Sequence, residues 1–250
     1  MNRALSTVAF LVVIFIWQCA IYFFNIADYV LPSPTKVLLA LKEMALSGLL
    51  MRNCVDSLFR VTWGFYIALF TAIPLGLLLG RSEFFRRLLN PIIQFLRPIS
   101  PLAWIPMALM WFGIGDLPAI FLIFLASFFP LVVFTMSAVM GIRPIYFRVA
   151  ENFGLSGLKL YLKVILPAAL PGIIVGIRIT LGTAWLVIVA AEMIAVKSGL
   201  GYLIIDARNS LRMDMVIAGM IVIGTVGILL DNLIRYLERM PSVEWSRKRR

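Results

Sequence analysis

The feature that most constrains this chain is the recurrence of apolar runs about 20 residues long, the length a helix needs to cross a bilayer core of about 30 Å. Such runs lie at about 6–24, 57–80, 91–112, 117–140, 171–196 and 215–236. They predict an all-α membrane protein with six transmembrane helices in a single transmembrane domain over 1–250. Composition agrees, because 62% of the 250 residues are hydrophobic and 14% are charged, too little polar surface to clothe a soluble domain. The net charge of +11 would suggest nucleic acid in a soluble chain. In an apolar one it reads as Lys and Arg collected on cytoplasmic loops, with lipid and not nucleic acid as the partner. The chain has no His, which removes histidine general bases and histidine-ligated metals, so no catalytic residue and no metal site is expected. Cys19 and Cys54 are too few for a disulfide scaffold.

The third run carries Pro98, Pro101 and Pro106, which predicts a kinked or partly unwound segment whose freed carbonyls need protein or a water-lined cavity. Between the first two runs, Leu31-Pro32-Ser33-Pro34 precedes a short interfacial helix over 35–50 with Thr35 as its expected N-cap. With the N-terminus inside, the inner segments hold Arg3, Arg81, Arg86, Arg87, Arg143, Arg148, Lys159, Lys163 and Arg235, and the basic tail 237–250. The outer ones hold Lys36, Lys42, Arg52, Arg60, Lys197, Arg208 and Arg212. That is about a two-to-one bias, which predicts both termini in the cytoplasm.

The loop 141–169 is more than a connector. Arg148-Val149-Ala150-Glu151-Asn152-Phe153 leads to Gly154, then Leu155-Ser156-Gly157, then Leu158 to Val164, then Ile165-Leu166-Pro167. This predicts a short helix, a glycine break that a side chain would obstruct, a second short helix and a proline stop. Two short amphipathic helices along the membrane would make a knob for another protein to grip.

Here the sequence resembles the inner-membrane subunits of ABC (ATP-binding cassette) importers, whose loop reads Glu-Ala-Ala, three residues, Gly, nine residues, Ile-x-Leu-Pro. Gly154, nine intervening residues and Val164-Ile165-Leu166-Pro167 match, as does Ala150. Arg148 and Val149 stand where that family has Glu and the first Ala, and Glu151 falls three residues later. Leu31 to Pro34, Arg97 to Pro106, Trp111 to Asp116 and Trp185 to Met193 resemble the nitrate/sulfonate/taurine/bicarbonate branch. The resemblance implies a type I importer permease of a bacterial cytoplasmic (inner) membrane, importing a small oxyanion. Two copies would form the pathway, and an external substrate-binding protein would deliver the solute. Two cytoplasmic P-loop ATPase subunits would grip the coupling loop at Arg148, Val149, Ala150, Glu151, Gly154, Leu155, Ser156 and Pro167. The chain itself has no Gly-x-x-x-x-Gly-Lys-Ser/Thr motif. It is therefore expected to be no enzyme and to bind no cofactor, with ATP and Mg on the partner ATPases.

Ionisable groups inside spans are costly and usually functional. Arg178 reads either as a snorkelling arginine or as a cation lining an anion pathway, and Arg97 opens the proline-broken segment. Trp104 and Trp185 are candidate pathway residues beside the alternative of packing. Glu192 is a candidate for solute contact or for a salt bridge to a neighbouring helix, and Asp231 for pairing or capping. Gly113-Ile114-Gly115-Asp116 also resembles the Gly-x-Gly-Asp of intramembrane aspartyl proteases. That chemistry needs two carboxylates sharing a proton, and the companion Tyr-Asp is absent, so an outer turn is expected. The alternative to an importer subunit is a self-sufficient secondary transporter or channel, disfavoured by the absence of a visible inverted repeat.

Overall fold

The structure is a computed structural model that describes residues 3–24 and 27–238, and every regular element among them is helical. In order these are α1 (Arg3–Phe24), α2 (Pro34–Leu46), α3 (Leu49–Arg81), α4 (Glu83–Leu96), a 3-10 turn (Pro101–Trp104) and α5 (Ile105–Phe112). There follow α6 (Asp116–Met140), α7 (Pro144–Asn152), the four-residue α8 (Gly157–Leu160), a π-helical turn (Tyr161–Ile165), α9 (Leu166–Ala195), α10 (Leu200–Asn209) and α11 (Met213–Glu238). Most of the expected basic tail, 239–250, lies outside the described residues.

The centre is a sandwich of α3, α6 and α9 held together by missing side chains. A Cβ at Gly64 would sit 2.7 Å from Ile123 Cβ, one at Gly76 2.5 Å from Thr135 Cβ and one at Gly80 2.5 Å from Val139 Cβ. On the other face, Gly172 and Gly176 would meet Ala138 at 2.7 Å and Phe134 at 2.6 Å. Close backbone approach through small residues is how helices bind one another in lipid, where burying apolar surface gives no drive. The pairings also fix direction. Positions on α3 and α6 rise together, so the two are parallel, whereas α9 is antiparallel to α6.

Parallel neighbours require the chain between them to return through the bundle. That return is made by α4 and the Pro101–Phe112 segment, which meet at 84°. Ile93 of α4 packs with Leu79 and Met136 near one end, while Ile105 and Ala108 pack with Val61 and Leu122 near the other. The third expected span is therefore a broken one that begins at Glu83, with the prolines at and beyond the bend. Among the described residues four stretches are long and apolar enough to cross alone, namely α3, α6, Gly157–Ala195 and α11, and the bent pair counted as one span makes a fifth. The first expected span falls on the 22-residue α1, whose side chains from Leu11 to Ile16 and from Tyr22 to Phe24 are largely exposed.

Three local expectations change. Ser33, not Thr35, caps α2. Its hydroxyl accepts the Lys36 N–H at 3.5 Å, Pro34 takes the first helical position where its missing N–H costs nothing, and Thr35 bonds Ser33 instead at 2.9 Å. The helix that carries the second expected span starts earlier than the span: α3 begins at Leu49 and runs 33 residues, about 50 Å at 1.5 Å per residue and longer than a bilayer core of about 30 Å. Pro167 does not stop a helix. Gly157 to Ala195 is one continuous stretch of 39 residues, and the wider π turn at Tyr161–Ile165 lies immediately before Pro167, where an α-helical carbonyl would clash with its ring.

Candidate functional site

At the end of the bundle where α3 begins, α3 turns Asn53, Ser57 and Arg60 to one face at helical spacing, and all three are buried. Arg60 is only 3% exposed. Its Nη1 donates to Glu192 Oε1 at 2.6 Å and to the Ser198 carbonyl at 2.8 Å, its Nη2 to Ser198 Oγ at 2.5 Å, and its Nε to Asp116 Oδ1 at 2.7 Å. Glu192, fully buried on α9, also accepts the Ser57 hydroxyl at 2.8 Å and the Gly201 N–H at 2.9 Å. Ser57 Oγ in turn accepts the Leu200 N–H at 2.9 Å, and Asn53 Oδ1 the Gly199 N–H at 2.8 Å. One guanidinium thus ties α3, α6, α9 and the 196–199 loop together. The glycines are required: a Cβ at Gly199, where φ is +102°, would lie 2.2 Å from Glu192 Oε1, and one at Gly201 2.2 Å from the Val189 carbonyl.

The loop at the other end was expected to hold two short helices around a glycine break; the first is α7, and the second, starting at Gly157, does not end but continues into α9. α7 ends in a turn where the Leu155 N–H reaches the Ala150 carbonyl at 2.9 Å and the Gly154 N–H reaches Glu151 at 2.9 Å. Gly154 occupies the left-handed position at φ +66°, the C-terminal turn that glycine favours. Nothing lies within 4 Å of a Cβ placed there, so backbone conformation, not obstruction, demands the glycine. Ala150 is buried and anchors the knob, and Phe147 sits under Arg81 at 5.1 Å. Arg148, Glu151 and Ser156 are exposed, Leu155 is half-buried, and Pro167 is exposed on the helix that follows. Val149, Phe153 and Leu158 put apolar side chains into the open, Phe153 at 78% exposure.

Between the two ends, Arg178 Nε donates to Asp231 Oδ1 at 2.7 Å and Arg235 Nη2 to Oδ2 at 2.9 Å. Arg178 and Trp185 share a cleft of about 300 Å³ between α9 and α11, where Trp185 is 5% exposed and gives its indole N–H to the Ile223 carbonyl at 3.0 Å. Arg97 caps α4 and is exposed at the bend, while Trp104 is half-buried with its ring 6.5 Å from Trp111. The five pathway candidates thus fall in three places: Arg97 with Trp104 around the bend, Arg178 with Trp185, and Glu192 in the Arg60 cluster. Sequence reasoning missed Asn53, Ser57 and Arg60, and assigned Arg60 to an outer segment. Their spacing on an apolar helix was the available signal. Asp116 begins α6 and pairs with Arg60, and Gly113 and Gly115 have φ of +74° and +153°, so Gly113 to Asp116 is a turn. Outside the spans, hydrogen bonds that Arg212 donates to Asp214 and then to Glu43 hold its guanidinium above its ordinary range and tie α2 to the start of α11.

Residues 72–242 match the model of the family described as binding-protein-dependent transport system inner membrane component. A putative ABC transporter permease of Methanocaldococcus jannaschii is 44% identical over 193 residues, covering 77% of this chain and 72% of the relative. The putative aliphatic sulfonates transport permease SsuC of Bacillus subtilis is 39% identical, covering 91% and 83%. The taurine transport system permease TauC of Escherichia coli is 36% identical, covering 91% and 85%. The fold is also that of a chain of the MetNI methionine ABC transporter in an inward-facing conformation, with a TM-score of 0.62 at 19% identity, over 76% of this chain and 97% of that one. With a family match across most of its length, an exposed knob at the expected loop and no P-loop of its own, the chain belongs to the inner-membrane permease subunits of binding-protein-dependent ABC importers.

Proposed function

We propose that this subunit forms, with a second copy of itself, the pathway of an ATP-driven importer for a small oxyanion of the nitrate, bicarbonate or alkylsulfonate/taurine class. Two P-loop ATPase subunits grip the Gly154 knob from the cytoplasm, carrying ATP and Mg, and this chain holds no cofactor. An external binding protein delivers the solute to the Arg60 end, and both termini are cytoplasmic. The Lys and Arg bias supports this orientation. The stripe of Val175, Ile179 and Leu186 on α9, exposed and interrupted by Gly182 with nothing within 4 Å of its Cβ, supports a second copy alongside. Arg97 and Arg178 are the cations proposed to steady the anion on its way, Arg178 by exchanging some of its contact with Asp231. Such a site must be weak enough to release the solute.

The observation that carries the reading is the unbroken helical stretch from Gly157 to Ala195. It joins the knob to Arg178, Trp185 and Glu192, so a push at the knob reaches all three through one rigid element. The test is Gly154→Trp in the reconstituted complex. ATP hydrolysis is expected to continue while solute uptake falls at least about tenfold, because a bulky residue at φ +66° reshapes the knob without touching the spans. Normal uptake by this variant would refute the coupling role of the loop.

A further inference from the structure

Two helices that meet at 84° cannot both run along the axis of the bundle, and α4 and the Pro101–Phe112 segment meet at that angle. The second of them runs along it. Its 3-10 turn and α5 both lie against α6, and the rings of Trp111 and Phe112 sit 5.8 Å and 5.5 Å from that of Phe121 on α6. α4 therefore runs across the axis. It starts two residues after Arg81, whose guanidinium covers Phe147 of the knob, so it lies at the knob end of the bundle.

The surface of α4 divides into three strips. Ile93 is buried and Leu89 half-buried where the helix rests on the bundle. Phe84, Leu88, Ile92 and Phe95 share a second face at helical spacing, and all four are exposed. Glu83, Arg87, Asn90 and Gln94 form the third. Arg87 donates to Glu83 at 2.5 Å and Gln94 to Asn90 at 3.4 Å, so among the described residues the side chains of this strip bond only within it. Arg86, half-buried beside the strip, makes no ion pair among the described residues.

A polar strip along the length of an exposed helix is costly in hydrocarbon, and an exposed row of Phe, Leu and Ile is costly in water. A helix lying in the boundary satisfies both, with its apolar face among the acyl chains and its polar face among the headgroups. Charge selects the lipid. Arg81, Arg86 and Arg87 stand against the single carboxylate of Glu83 within seven residues, and the planar arginine fork matches a phosphate. We propose that α4 lies flat in the cytoplasmic boundary of the membrane, where Arg86 and Arg87 seat the headgroups of anionic phospholipid. The broken span then enters the bilayer core only beyond the bend. Lipid held in this way fixes the level of the end of α3, on which the knob is stacked. The importer reading supplies only the side of the membrane.

Two measurements on the permease–ATPase complex in phosphatidylcholine nanodiscs, with Cys19 and Cys54 replaced by serine, test the lie of α4 and its lipid. Spin labels at Phe84→Cys, Leu88→Cys, Ile92→Cys and Phe95→Cys report depth from their relative accessibility to oxygen and to a water-soluble nickel complex. A helix along the membrane normal would deepen by about 16 Å between the first and last of these positions. The expected spread is under about 8 Å, with every label reached by oxygen. A larger spread, or labels shielded from both agents by a covering protein, would overturn the proposal. For the lipid, a bimane fluorophore at Phe84→Cys is quenched by spin-labelled phosphatidylglycerol or phosphatidylcholine. Phosphatidylglycerol is expected to reach half-quenching at about fivefold lower content or less, the enrichment that one arginine near an anionic surface gives. Arg86→Gln with Arg87→Gln should abolish that preference, and Arg86→Lys with Arg87→Lys should keep it. Equal quenching by the two lipids, a preference that survives the glutamine pair, or one lost in the lysine pair would overturn the proposal. Labelling of Arg148→Cys in intact cells by an impermeant maleimide would instead place the knob outside. That result removes the importer reading and with it the side of the membrane, whereas a steep depth profile removes only the lie of α4.

Discussion

The two ends of the bundle are built from opposite materials. At the Arg60 end a buried guanidinium is bonded to Glu192, Asp116 and Ser198, and the helices and loop it gathers cannot separate without leaving charge uncompensated in an apolar setting. At the Gly154 end the chain exposes Val149, Phe153 and Leu158 on a short helix anchored by one buried alanine. A cluster whose donors and acceptors face one another is a structural tie, while exposed apolar side chains at a membrane boundary await a partner. A single helical stretch joins the two: Gly157 to Ala195 begins beside the exposed knob and ends in the tie, so under the proposed coupling role force entering at one end would be delivered to a fixed assembly at the other.

The largest effect is expected where the tie is cut. Arg60→Met leaves Glu192 buried without its cation, a loss of about 3–5 kcal/mol, and should sharply lower the thermal unfolding midpoint and yield of monodisperse protein. Adding Glu192→Gln should recover part of that loss, since the uncompensated charge is then gone. Arg148→Met at the knob, an exposed position, should stay within about 0.5 kcal/mol. Equal effects of Arg60→Met and Arg148→Met would mean that Arg60 is not a structural tie.

A smaller contrast uses one substitution at both ends. Gly199→Ala forces a Cβ against Glu192 at a left-handed φ and should cost about 2–4 kcal/mol. Gly154→Ala meets only open space and should cost about 1 kcal/mol from backbone conformation alone. Unfolding midpoints of the two purified variants check the ranking, and reversal would mean that the Gly199 contact is not a constraint.

How legible all this was in the sequence depends on range. The spans are local, since about 20 apolar residues announce themselves, and Gly154 and its helix were readable from spacing within one loop. The end of the knob was misread because Pro167 signals a stop only if the preceding turn stays α-helical, and the π turn at Tyr161–Ile165 removes that condition. The tie joins residues more than 130 positions apart, Arg60 to Glu192, and no local pattern pairs them. What the sequence did offer was Asn53, Ser57 and Arg60 on one face of an apolar helix, and a lone Glu192 in another. Leu211 was wholly illegible: at φ +56° it holds a left-handed turn at the end of α10 where glycine would be expected.

The stretch from knob to tie is expected to move as one body. Spin labels at Lys159→Cys and Lys197→Cys, with Cys19 and Cys54 replaced by serine and labelled copies diluted among unlabelled ones, report that distance by pulsed electron resonance. The account predicts a single distribution whose mean stays within about 2 Å between nucleotide-free and ATP-trapped complexes, less than half of one 5.4 Å helical turn. A change of a full turn or more, or a split distribution on ATP trapping, would contradict it.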